Sequence, residues 1–257
     1  MLSGAACAST HVVFPAGVPT PAADAVSHWT MATEACAGAR VFSAEITADG
    51  QVGTERLRRV VLQGAMTRDG QLRLLAVAPA GPPIFVLAGR DERATLTLPR
   101  QQRVLVAPAP EIVAALIGLR LTATDWLEVM SGCAASGPVR DGGVIDGVTV
   151  VHLANGTTRL RLDKDGNTWR LTAGERPDLL VEYREFQGRW PSVLRVSTPA
   201  QAPVPVGLSM SISQVNVNID LPQRAFLLDV PAGFRPMTLQ ELRTLGPLGD
   251  RGDGGTR

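Results

Sequence analysis

Few residues of this chain are of the types that do chemistry, and they are scattered. Histidine stands at positions 11, 28 and 152 and cysteine at 7, 36 and 133. None of the histidines sits in a nucleophile motif, and no G-x-S-x-G elbow occurs. The cysteines form no C-x-x-C pair and no Cys/His cluster at zinc spacing, so no metal site is expected. Asp163-Lys164-Asp165-Gly166-Asn167 has the acidic rhythm of a calcium loop. Its glycine is misplaced and its later glutamate does not fit, so a hairpin turn is the better reading. Arg251-Gly252-Asp253 spells an adhesion tripeptide, which in a Gly-rich tail reads as chance. No catalytic residue and no cofactor follow from these patterns.

The cysteines carry the remaining chemistry. Ser3-Gly4-Ala5-Ala6-Cys7 sets small residues before a cysteine, as at the end of a bacterial lipoprotein signal, where that cysteine is lipidated. Gly4 stands where such signals usually carry leucine, and the charged and apolar regions that come before are missing. An ordinary N-terminal extension is the alternative. Cys36 and Cys133 would pair in an exported protein and stay reduced in a cytosolic one, and the residues leave both open. In an exported protein a bridge would tie the end of one helix to the residues after another.

Length and composition bound the rest. A chain of 257 residues holds one large domain or two small ones, and 45% hydrophobic residues supply a core. The net charge of +1 gives no basic field for nucleic acid, and aromatics at 4% leave little for base stacking. No run of about eighteen apolar residues predicts a membrane helix.

The elements read as mainly β. Residues 24–39 form a helix with Ala25, Trp29, Ala32 and Cys36 on one face. Strands follow at Val41 to Thr47, Leu57 to Thr67, Leu72 to Ala78, Ile84 to Ala88, Arg93 to Leu98 and Arg103 to Val106. Asp69-Gly70 marks a hairpin. Two short helices come next, Glu111 to Gly118 and Thr122 to Met130, the second opened by a Thr122-x-x-Asp125 capping box. Ser136 to Gly143 reads as a loop. Further strands are expected at Val144 to Leu153, Arg159 to Leu162, Thr168 to Leu171, Leu179 to Tyr183 and Val193 to Val196. In Leu208 to Leu221 the apolar phase shifts at Ser213-Gln214, the mark of a β-bulge that bends a long strand. Thr238-x-x-Glu241 opens a C-terminal helix. The expected organisation is a signal remnant and tether over 1–23, one folded domain over 24–246, and a disordered tail over 247–257.

The main constellation is the apolar alternation itself, and periodicity does not separate a filled core from a cavity. The residues that sharpen it are Asp69-Gly70-Gln71-Leu72-Arg73-Leu74-Leu75, Pro79-Ala80-Gly81, and Leu116-Ile117-Gly118-Leu119-Arg120-Leu121, continued by Trp126 and Gly132. In this order, and over roughly Phe42 to Val196, the chain resembles the LolB/LolA family of outer-membrane lipoprotein receptors and carriers.

The resemblance implies a curved antiparallel, unclosed β-barrel covered by short helices, with lipoprotein acyl chains or another lipid bound inside and no catalysis. Carried onto this chain, the cavity would be lined by Phe42, Ile46, Val60, Leu62, Leu72, Leu74, Ile84, Val86, Leu96, Leu116, Trp126 and Met130, open to one side. It further implies a lipid anchor at Cys7, a place on the periplasmic face of the outer membrane, and a periplasmic LolA-like carrier as partner. The membrane-facing loop would be Pro79, Ala80 and Gly81. Receptors of the family carry an exposed leucine where this chain has Ala80, which puts membrane insertion by this loop in doubt. The alternative is a structural or scaffolding lipoprotein with a filled core and no ligand.

Overall fold

The computed structural model describes residues 14–78, 80–154 and 159–249. Cys7, His11, Pro79 and the tripeptide at 251–253 lie outside the described residues.

One sheet organises the described chain. Its strands are β1 (Thr20–Pro21), β2 (Val41–Val52), β3 (Glu55–Thr67), β4 (Gln71–Val77), β5 (Phe85–Arg90), β6 (Arg93–Leu98), β7 (Arg103–Ala107), β8 (Val139–Ile145), β9 (Val148–Leu153), β10 (Arg159–Asp165), β11 (Thr168–Glu175), β12 (Leu180–Gln187), β13 (Trp190–Ser197), β14 (Val206–Val217) and β15 (Arg235–Pro236). Two meanders, β8 to β14 and β2 to β7, join where β14 pairs with β2. The two-residue strands β1 and β15 end the sheet, so it does not close. Every pair is antiparallel except β15 on β7. The helices are α1 (Ala25–Ala37), α2 (Ala109–Ile117), α3 (Ala123–Ser131) and α4 (Leu239–Thr244). None of the described helices is long and apolar enough to cross a membrane.

Local chemistry sets these elements. Thr122 and Asp125 complete their capping box: the Asp125 N–H donates to Thr122 Oγ1 at 3.0 Å, and the Thr122 N–H donates to Asp125 Oδ2 at 2.9 Å. Thr238 and Glu241 do the same for α4. α2 stops at Gly118, whose φ of 75° suits glycine and whose missing side chain would meet Val206 Cγ2 at 2.8 Å. The bulge lies where the phase shift put it, between Ser213 and Asn216 against β2.

The first correction concerns residues 136–153. Ser136 to Gly143 is not all loop, and Val144 to Leu153 is not one strand. β8 starts at Val139 and turns at Asp146-Gly147 into β9. Both turn residues have positive φ, 49° and 78°, as an Asp-Gly hairpin turn requires. The polar start of β8 hid it: β1 pairs with this strand only at Val144 and Gly143, so its outer edge carries little apolar sequence.

The second correction is one of phase. Leu74 pairs with Leu87 and Ala76 with Phe85, so Phe85 and Leu87 face the core. Val86 pairs with Leu75 on the opposite face and lies outside the core cluster. The run Ile84-Phe85-Val86-Leu87-Ala88 has no alternation, so only pairing to β4 sets its phase. The C-terminal chain after β14 crosses that outer face: Gln223–Phe226 packs on β4 and β5, buries Phe226, and accepts Arg73 Nη1 at the Ala225 carbonyl, 3.1 Å. Val86 is therefore buried from outside.

Candidate functional site

Ten of the twelve residues expected to line a cavity lie together on the inner face of the half-barrel and its helices. They are Phe42, Ile46, Val60, Leu62, Leu72, Leu74, Leu96, Leu116, Trp126 and Met130, each at most 7% exposed. Ile84 packs against them half-buried. They do not border an open hollow. α2 and α3 insert Ile112, Leu116, Trp126, Leu127 and Met130 among them, and the side chains form one continuous cluster. The expected open cavity is thus replaced, at these residues, by packing. The physical reason is that both helices have broad apolar faces and the sheet wraps them from the other side.

Open volume lies at the rim instead. A pocket of about 400 Å³ sits between the α2–α3 connection, the β11–β12 turn and the β13–β14 loop. Its wall includes Leu119, Leu121, Leu179, Pro199, Ala202 and Val204. Leu119, Leu121 and Leu179 are buried members of the core cluster, so the pocket floor is the top of the core. Val204 stands exposed at its edge. By strand order the β4–β5 loop, with exposed Ala80 and Gly81, lies on this same rim; the Ala80 carbonyl accepts Arg100 Nη2 at 3.2 Å. Pro177, Asp178 and Pro199 to Val204 escaped the sequence reading, which took Leu179 only as the start of a strand. The signal was a charge-free stretch with prolines at 199, 203 and 205 between two strands.

α3 is the anchored part of the plug. Asp91 Oδ1 accepts the Ala123 N–H at 2.8 Å, and Arg176 Nη1 donates to Asp125 Oδ1 at 2.6 Å. Burial pushes the Asp125 carboxyl up, but the Thr122 bonds and the Arg176 charge outweigh it and hold the group below the usual carboxylate range. Burial wins at Asp91 and Glu128, whose carboxyls are raised. The Tyr183 hydroxyl donates to the Val129 carbonyl at 2.9 Å. Cys36 and Cys133 form a disulfide with Cα atoms 5.6 Å apart, joining the end of α1 to the residue pair after α3. Two polar atoms of α3 are buried without a hydrogen-bond partner, Trp126 Nε1 and Glu128 Oε1; Arg68 Nη1 lies 3.7 Å from the latter.

The described histidines do other work. His28 stacks on Trp169 at 3.9 Å, and His152 Nδ1 bonds Asp141. Among the described residues no group of three or more His, Cys, Asp or Glu side chains is placed to hold a metal ion. The calcium-like stretch is the β10–β11 turn, with Asp165 paired to Thr168.

No family model and no curated protein sequence matches the chain. Solved structures do. A LolA superfamily protein from Nitrosomonas europaea aligns over 82% of this chain and 99% of its own, at 13% identity and a TM-score of 0.50. A putative outer membrane lipoprotein-sorting protein domain from Vibrio parahaemolyticus aligns over 79% and 97%, at 13% identity and a TM-score of 0.47. The likeness is one of fold: this chain has the LolA-like open β-barrel.

Proposed function

We propose that this protein binds the acyl chains of lipoproteins, or of another lipid, inside its half-barrel and so aids lipoprotein localisation at the outer membrane. The observation that carries this reading is the rim pocket whose floor is the apolar core itself. A chain lying in the pocket needs only α2 to shift to continue between the helices and the sheet. Burying it is favourable by about 0.8 kcal/mol per methylene. The Trp126 N–H is buried without an acceptor, which costs the packed state about 1–3 kcal/mol. Transfer then needs no catalysis, only a better site downstream.

In this reading Cys7 carries a lipid anchor, the protein faces the periplasm, and a LolA-like carrier delivers its cargo. A protein exposed to the periplasm also fits the Cys36–Cys133 bridge. The rim loop at Ala80 lacks an apolar wedge. Ala80→Leu is expected to increase lipoprotein transfer to liposomes, measured on folded, lipid-loaded protein; equal transfer by both proteins counts against the loop.

The test is quenching. An acyl chain brominated near its end should bind the delipidated protein and quench tryptophan emission, and Trp126→Phe should lose most of that quenching. Failure to bind, together with protein purified from its own membrane that carries no lipid in native mass spectrometry, would overturn the reading. The filled interior favours the second reading, a structural or scaffolding lipoprotein without ligand, and that result would select it.

A further inference from the structure

A second pocket, of about 390 Å³, adjoins the apolar rim pocket. Pro177, Pro199 and Gln201 line both, so the two form one continuous groove with different ends. The first end is mainly apolar, with Arg120 and Asp178 also in its lining. The second is lined by Arg140, Arg159, Arg176 and His152 against a single carboxylate, Glu175. We propose that this groove holds an amphiphile with an anionic headgroup, the headgroup on Arg140 and Arg159 and the chain in the rim pocket. The proposal rests on the lipid-binding reading and narrows its ligand class to chains whose headgroup carries a net negative charge.

The pairing of the guanidiniums supports this division. Arg176 is held between Asp125 and Asp178 and serves the rim as a strut. Arg140 is paired to Asp141, which also takes His152 Nδ1, and Arg159 is paired to Glu175. Each of these carboxylates fixes its arginine while leaving the fork more N–H donors than one carboxylate accepts. Both side chains are more than a third exposed, where such pairs are worth little and a phosphate competes for them. Phe14 lies on the Arg159 guanidinium, 5.2 Å from it, and shields it partly from water. Placed here, a headgroup sits next to Pro177 and Pro199, and the chain it carries meets Leu179 and Leu121, past Asp178, whose charge is paired to Arg176.

The experiment compares two soluble lipids with the same short chains, dioctanoyl phosphatidylglycerol and dioctanoyl phosphatidylcholine, with glycerol phosphate alone as a third ligand. The expected result is about a tenfold preference for the anionic lipid, the size of one charged hydrogen bond. Arg140→Gln with Arg159→Gln should bring the anionic lipid down to the level of the zwitterionic one, whose binding falls less than that of the anionic lipid. Arg140→Gln alone, at a half-exposed position, should remove part of the preference if the double variant does not fold. Equal binding of both lipids by the native protein overturns the headgroup site and leaves lipid binding standing. Binding of neither overturns the lipid reading and this one with it. A preference that survives the arginine variants overturns the assignment to this groove. Glycerol phosphate binding as tightly as the anionic lipid would make the site one for a free phosphate compound, and the proposal fails.

Discussion

α2 and α3 have nine residues each and lie buried against the same inner face, yet different forces hold them. α3 has a capping box, the Asp91 and Arg176 contacts at its first turn, the Tyr183 bond to Val129, and a disulfide just past its end. α2 has no side-chain cap. Its Ala109 N–H reaches the Asp91 carbonyl at 2.9 Å, and its Glu111 pairs with Arg120 of its own connection at 2.8 Å. Otherwise it packs through apolar side chains on β6, on α4 and on the Pro247–Gly249 turn. Hydrogen bonds and covalent links are directional and set a position, whereas apolar contact is non-directional and tolerates sliding. α3 is therefore the half of the plug held by directional bonds and α2 the half held mainly by apolar contact, and the rim pocket lies where the two join.

Removing the disulfide tests the directionally bonded half and has the largest expected effect. Cys36→Ala with Cys133→Ala opens a loop spanning 97 positions and should cost about 4 kcal/mol in denaturant unfolding. Hydrogen exchange should rise in α1 and α3 and hold steady in α2. Equal loss of protection in both helices would erase the distinction.

Leu242→Ala tests the half held by apolar contact. Leu242 of α4 is fully buried, and α4 packs on α2. The substitution should cost about 2–4 kcal/mol. Exchange should rise in α2 and spare α3, and binding of an acyl probe should become faster. A slower or unchanged association rate would mean that α2 is not the moving part.

Asp125→Asn sharpens the comparison through pH. The folded carboxyl lies below its unfolded value, so its contribution is present above the unfolded pKa and lost as pH falls through the folded one. The variant should be about 1–2 kcal/mol less stable at neutral pH, with the gap closing at acid pH below the usual carboxylate range. A gap of constant size across that window would show that the charge contributes nothing.

Glu128→Gln should have the smallest effect and the opposite sign. Its folded carboxyl is raised, so its ionised form opposes folding once pH exceeds the unfolded value. The variant should match or exceed the native stability at neutral pH, by about 1 kcal/mol or less, with the difference gone in acid. A clear loss at neutral pH would instead assign Glu128 a stabilising partnership with Arg68.

Legibility followed locality. Both capping boxes, the Asp69-Gly70 turn and the β14 bulge were readable because each is decided within a few residues. The rim pocket was not, because its walls come from three connections widely separated in sequence. Ten inner-face residues were readable from alternation and resemblance, but Val86 was not, since a run apolar at every position carries no phase.

By itself the sequence determined that the chain is a mainly β protein with two short apolar helices in its middle, because period and capping are local properties of neighbouring residues. The tertiary structure alone decided that those helices enter the half-barrel and fill it, that Cys36 meets Cys133, and that Arg140 and Arg159 stand beside an apolar mouth. Each of those facts depends on which strands pair and in what register, and pairing energy is shared among residues that the chain order keeps far apart.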